Sequence, residues 1–215
     1  MSEQEFLIET KKLGIDISKE QLNNLKEFYN LMIEKNKVMN LTRITEEEDV
    51  YLKHFYDSLT LVKAVDLTKD LTLCDVGTGA GFPGMVLKII FPNLKITLID
   101  SLQKRINYLN EVIDKLNLKD IEAIHARSED YIKNNNQKFD IVTSRAVANL
   151  KKLSELTLPL LKENGKFIAM KANLITEIDD SKQIINKLNC QIKGIISFNL
   201  IKEESVRNLV VITKK

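Results

Sequence analysis

The chain has 215 residues, 29% of them charged, and a net charge of only +2. That length supports a core that needs no staples, as one large domain or as a core with a small appendage. The charge excludes a wholesale basic nucleic-acid binder, so any RNA-binding surface must be a local patch. There is no N-terminal signal pattern and no apolar run approaching about 18 residues, so a soluble, cytoplasmic protein without membrane contact is expected. Cys74 and Cys190 lie in apolar, strand-like runs and read as core thiols of a reducing compartment rather than a disulfide. Charge is uneven: net −4 over residues 1–60 and +6 over 61–215. Only five basic residues are Arg (Arg43, Arg105, Arg127, Arg145, Arg207), each a better candidate than Lys for a fork-shaped contact.

Residues 2–13 read as a short amphipathic helix ending at Gly14. Ser18-Lys19-Glu20-Gln21 is a capping box that opens a longer helix, with Leu22, Leu25, Phe28, Tyr29, Met32 and Ile33 on its apolar face. Periodicity fails over Lys35–Arg43. Thr45, followed by Glu46, Glu47 and Glu48, predicts an N-cap for a third helix running to about Val65. From Leu71 the texture alternates. Strands are predicted at 71–76, 95–100, 121–125, 139–144 and 166–171, each followed by a helix: 83–91, 102–116, 128–134, 146–161 and 175–188. Two consecutive strands, 191–200 and 207–214, close the chain. Five strand–helix units imply a parallel sheet with right-handed crossovers, and the final pair an antiparallel hairpin at one edge. The expected organisation is a helical cap over residues 1–66 and an α/β domain over 67–215.

Asp75-Val76-Gly77-Thr78-Gly79-Ala80-Gly81-Phe82-Pro83-Gly84 holds four of the seven glycines and joins the first of these strands to its helix. Gly79–Gly84 matches G-x-G-x-x-G, in which backbone N–H groups meet a pyrophosphate at a helix start. Asp75 is expected to sit near the ligand, where it would repel a pyrophosphate and favour an ammonium group. The turn therefore resembles the first motif of the class I methyltransferases, which bind S-adenosylmethionine on a Rossmann-like, seven-stranded, mostly parallel sheet. A nucleotide cofactor and a purely structural turn are the alternatives.

In doubly wound sheets ligands sit at the carboxyl ends of the strands. Asp100 ends the second strand, where a carboxylate can accept both ribose hydroxyls, leaving Ser101 to cap the next helix. Ser128 and Glu129 follow the third strand, near the expected adenine edge; Glu129 reads equally as a helix-start acid. Ser144-Arg145-Ala146 ends the fourth strand, beside the methyl-transfer point. No Asp/Asn-Pro-Pro-aromatic run for exocyclic amines occurs there, and neither cysteine is placed as a nucleophile for pyrimidine carbon. A ring nitrogen with an exposed lone pair, such as guanine N7, needs neither device.

A more specific resemblance rests on ordered blocks: Asn36-Lys37 with Asn40-Leu41-Thr42, His54 with Asp57-Ser58-Leu59, the glycine turn, Leu98-Ile99-Asp100-Ser101 with Lys104-Arg105, then Ser144-Arg145-Ala146 and Lys171. Together they resemble the bacterial 16S rRNA guanine-N7 methyltransferases, the glucose-inhibited division protein B family. Lys35 stands where that family usually has an aromatic residue. The resemblance implies S-adenosylmethionine as cofactor, held by Gly77, Gly79, Phe82, Asp100, the Ser128–Glu129 region and Arg145. It also implies 16S rRNA or the small ribosomal subunit as partner, with Arg43, His54, Arg105 and Lys171 as candidate RNA contacts. No metal, no general base and a monomer are expected, with Arg145 as a candidate for positioning the substrate. Another RNA position, a protein or a small molecule as substrate, or a non-catalytic nucleotide-binding role, remain alternatives.

Overall fold

The computed structural model describes residues 1–172, 174, 176–203 and 205–215. Two capping boxes start the first two helices, α1 (Glu3–Lys12) and α2 (Lys19–Met39). Ser18 Oγ accepts from Gln21 N, and Gln21 Oε1 accepts from Ser18 N, as its sequence predicts. The third helix departs from expectation. Its N-cap is Glu46 rather than Thr45, with no side-chain cap bond, and α3 (Glu47–Val50) passes into a π-helical stretch, Tyr51–Tyr56. α4 (Asp57–Leu59) and a 3₁₀ turn, Thr60–Lys63, finish it. Five of the six π-helical residues are buried, so this segment packs on nearly every side. A stripe read at 3.6 residues per turn finds one of its faces and not the widened turn.

The sheet has seven strands: β1 (Thr72–Val76), β2 (Lys95–Asp100), β3 (Ile121–His125), β4 (Phe139–Arg145), β5 (Leu161–Lys171), β6 (Cys190–Asn199) and β7 (Val206–Lys214). Their order is β3-β2-β1-β4-β5-β7-β6, parallel up to β5, with β7 antiparallel to both β5 and β6. The connecting helices are α5 (Gly84–Ile90), α6 (Gln103–Lys115), α7 (Ser128–Asn134), α8 (Leu150–Thr157) and α9 (Glu177–Lys187). The predicted helix over 146–161 is shorter at both ends. Ala146 takes a left-handed φ of 56°, Asn149 caps α8 by accepting from Lys152 N, and Pro159 stands in a closing 3₁₀ turn, Leu158–Leu160. The helix predicted from Ile175 begins at Glu177; Ile175 itself lies outside the described residues.

Side chains alternate across the sheet. Leu73, Ile96, Leu98, Ile141, Ile168 and Leu209 face one way and share a core with α5, α6 and the N-terminal helices, including Phe6, Leu25, Phe28 and Phe55. Cys74, Val76, Ile99, Val142, Phe167 and Val210 face the other way, onto Leu150 and Leu153 of α8 and Ile185 of α9. Cys74 and Cys190 are buried thiols, as expected. The N-terminal helices thus share the hydrophobic core of one sheet face. Among the described residues no helix is long and apolar enough to cross a membrane.

Candidate cofactor and substrate site

β1 lies between β2 and β4, so the chain reverses direction across the sheet at the carboxyl end of β1, and a crevice opens there. The glycine turn forms its floor by folding onto itself. Gly77 and Thr78 donate their N–H groups to Ile99 O, Gly79 donates to Asp100 Oδ2 at 3.0 Å, and Gly81 and Phe82 donate to Thr78 O. These amides are spent inside the protein, so the turn has no fan of open donors for a pyrophosphate. Gly79 has a φ of 61°, and a Cβ built there meets nothing within 4 Å, so its bare backbone faces open space.

Asp75 corrects the sequence reading. It is fully buried and stays outside the cavity lining. Its Oδ2 accepts from Thr78 Oγ1 at 2.7 Å and Gly84 N at 2.9 Å, while Oδ1 has no partner. Burial, partly offset by these two hydrogen bonds, raises its pKa to about 6. Asp75 is the fastener of the turn, and the acid that faces the cavity is Asp100. Asp100 Oδ1 accepts from Leu102 N at 2.9 Å, so it also does the capping expected of Ser101. Its Oδ2 receives Arg105 Nη1 at 3.1 Å. A carboxylate offers about four lone-pair positions, so these three donors leave room for a hydroxyl.

Across the crevice, at the end of β4, Arg145 is gripped by the N-terminal helices. Nη1 donates to Lys53 O at 2.9 Å and Asp57 Oδ2 at 3.0 Å, and Nη2 lies 3.0 Å from His54 Nδ1. Asp57 is buried and shared, since its Oδ1 accepts from Arg207 Nε at 3.1 Å. Two guanidinium groups therefore face one carboxylate, a local surplus of positive charge. The His54 ring stacks on Phe82, with centroids 4.3 Å apart and planes at 17°. Burial, and then the charge of Arg145, push its pKa down to about 3, so it is neutral.

Two cavities share the wall formed by His54, Arg145 and Ala146. One, of about 430 Å³, is lined by Thr42, Gly77, Gly79, Phe82, Asp100 and Arg105. The other, of about 480 Å³, is lined by Ile44, Asp57, Met170, Lys171 and Arg207. Each falls within the roughly 300–1,000 Å³ typical of small-ligand sites.

The family model for rRNA small subunit methyltransferase G (GidB) matches residues 21–209. The chain belongs to this family. The curated rRNA small subunit methyltransferase G of Lysinibacillus sphaericus is 45% identical over the whole chain and 91% of the relative. That of Bacillus cereus is 47% identical over the same shares of both chains. A solved S-adenosylmethionine-dependent methyltransferase from Aquifex aeolicus superposes with a TM-score of 0.56 at 18% identity, covering 80% of this chain and 96% of that one, a likeness of fold. Membership makes the protein an rRNA methyltransferase with S-adenosylmethionine as its cofactor. The first cavity fits that group: it has an acid with a spare acceptor position at one end, guanidinium charge at the other and bare glycine backbone between them.

The residues singled out from sequence divide into two sets. Gly77, Gly79, Phe82, Asp100, Arg145, His54 and Arg105 all line the first cavity. Arg145 and His54 bind each other, and Arg105 binds Asp100, so all three are engaged within the protein. Lys171 lines the second cavity, where it donates to Ala148 O and pairs with Glu177 at 3.0 Å. Arg43 is exposed and makes no ion pair among the described residues. Ser128 is buried and donates to Leu156 O at 2.5 Å. Glu129 pairs with Lys152 at 3.2 Å and stands in the first turn of α7, the helix-start reading. Both lie outside the first cavity, beside a third one of about 460 Å³ at the end of β3 that shares Ser101 with it. Thr42 and Arg207 escaped the sequence reading as site residues. Thr42 lay inside a block that was visible, but nothing in one dimension tied it to His54.

Proposed function

We propose that this methyltransferase modifies N7 of a guanine in 16S rRNA, as free RNA or in the small subunit, and acts as a cytoplasmic monomer. The observation that carries the reading is the shared wall. One cavity with an acid and bare backbone, and one with a cationic rim, meet at Arg145 and His54. The bound cofactor supplies a methyl group on a sulfonium. The protein's own residues orient and shield. Asp100 accepts from the ribose, the turn presents Gly77 and Gly79, and Phe82 walls the crevice. The Ser128–Glu129 backbone borders the adenine end, and Arg145 stands between cofactor and base.

Guanine N7 carries no proton, so no base is needed before attack. The state of the one imidazole at hand supports this reading, since it is unsuited to be a base. His54 Nδ1 is taken by Arg145 and its pKa is far below neutrality. Rate enhancement then comes from alignment and exclusion of water. The target guanine must leave its stack to enter the second cavity. Arg43, Arg105 and Lys171 serve the surrounding phosphates, and residues 1–66 act as the cap that closes over the bound base. Labelled-methyl transfer to unmodified 16S rRNA and to small subunits, followed by nucleoside analysis, tests this. The expected product is 7-methylguanosine. An exocyclic or ribose methyl would refute the N7 assignment.

A further inference from the structure

We infer that the Thr42 hydroxyl is a donor with its proton direction fixed by the protein, and that it holds the carboxylate of the cofactor's methionine portion. The inference rests on S-adenosylmethionine occupying the first cavity.

Arg145, His54 and Thr42 form a chain of contacts along which each proton can be placed. A guanidinium only donates, so the 3.0 Å contact from Arg145 Nη2 makes His54 Nδ1 an acceptor. A neutral imidazole then carries its hydrogen on Nε2, and Nε2 lies 2.9 Å from Thr42 Oγ1. Ile44 N donates to the same oxygen at 3.1 Å. Both lone pairs of the hydroxyl are thereby occupied, and its remaining capacity is its own proton. No acceptor for that proton is found among the described residues. The oxygen is also fixed in place, because Thr42 N donates to Asn36 Oδ1 at 2.9 Å. Thr42 lines the cavity of Gly77 and Asp100 and is absent from the lining of the neighbouring one.

The cofactor offers four polar regions to such a donor. Its adenine ring nitrogens accept, but the adenine end is assigned to the Ser128–Glu129 region after β3, whereas Thr42 sits on the His54 and Arg145 side of the cavity. Its ribose hydroxyls are matched by Asp100, an acceptor. Its ammonium only donates and cannot use a second donor. Its carboxylate only accepts, and the charge around Arg145 favours an anion, because Asp57 is divided between Arg145 and Arg207. The other available acceptor is the carbonyl of an incoming base, which belongs to the second cavity, where Thr42 takes no part.

Calorimetric binding of S-adenosylmethionine and of decarboxylated S-adenosylmethionine to the wild type, Thr42→Val and Thr42→Ser tests the assignment. A hydrogen bond to a charged group corresponds to about a tenfold to hundredfold change in affinity. Thr42→Val is expected to lose that factor for S-adenosylmethionine and to bind the decarboxylated compound within about twofold of wild type. Thr42→Ser is expected to restore both affinities. Equal losses on the two ligands would overturn the inference, because they would mean a disorganised loop. Unchanged affinity for the cofactor with a raised KM for rRNA would overturn it in favour of a role toward the base. A wild type that binds neither compound would remove the cofactor reading first, before any substitution is made, and this inference with it.

Discussion

Asp75 sets up a stability experiment whose sign is not the usual one for an acid. The folded pKa is about 6 against an ordinary 3.8, raised by complete burial. Between those values the folded chain holds a proton that the unfolded chain has released. This contribution is therefore fully present below pH 3.8 and is lost as pH rises through about 6. The slope is about 1.4 kcal/mol per pH unit and the total roughly 3 kcal/mol. His54 works in the opposite sense. Its folded pKa of about 3 lies below the ordinary 6.5, so its contribution is complete above pH 6.5 and declines as pH falls. Over pH 4–6 the two slopes nearly cancel, and the wild-type curve hides both. Asp75→Asn separates them. The amide oxygen can accept from Thr78 Oγ1 and Gly84 N, while its NH₂ takes the place of the unpartnered Oδ1. That unsatisfied donor adds a cost independent of pH. Urea unfolding of cofactor-free protein at half-unit steps from pH 4 to 7 is the assay. The stability of Asp75→Asn minus that of wild type should climb by roughly 3 kcal/mol across the range. A flat difference would show that Asp75 stays ionised throughout and that burial does not govern it.

Other substitutions probe the rest of the site. Asp100→Ala should weaken S-adenosylmethionine binding by roughly 1–3 kcal/mol, because the ribose loses its acceptor; an unchanged Kd by calorimetry would remove the ribose role. Arg145→Lys keeps the charge but cannot reach Lys53 O, Asp57 and His54 together from one ammonium, so turnover on rRNA should fall at least about tenfold. Wild-type turnover in that variant would show that charge alone suffices. Gly84→Ala should cost about 1–3 kcal/mol in chemical denaturation, since a Cβ there would stand 2.3 Å from Leu98 Cδ2 and 3.0 Å from Asp75 Oδ2. An unshifted unfolding midpoint would mean that the α5–β2 contact has slack.

The fold was legible because its signals are local. The strands, the Ser18 capping box and the terminal hairpin all lie within a few positions of the residues that specify them, and right-handed crossovers restrict how the parallel strands can be arranged. The site was legible only as a list. Local sequence placed Asp75 beside the ligand, since it adjoins the glycine turn, but the turn closes over it through Thr78 and Gly84 and leaves Asp100, 25 positions away, to face the cavity. The case against a pyrophosphate accordingly rests on backbone amides already engaged by Ile99, Asp100 and Thr78, which no composition or spacing reveals. His54-x-x-Asp57 shows the same limit. The block was visible, yet its meaning depends on Arg145 and Arg207, 91 and 150 positions distant, whose guanidinium groups fix the tautomer of one residue and divide the charge of the other. Those long contacts tie the N-terminal helices to the carboxyl end of β4. The N-terminal helices are thus wired into the electrostatics of the cavity, and a substitution at Asp57 should alter turnover on rRNA, measured by labelled-methyl transfer, even though Asp57 does not line the cavity of Gly79 and Asp100.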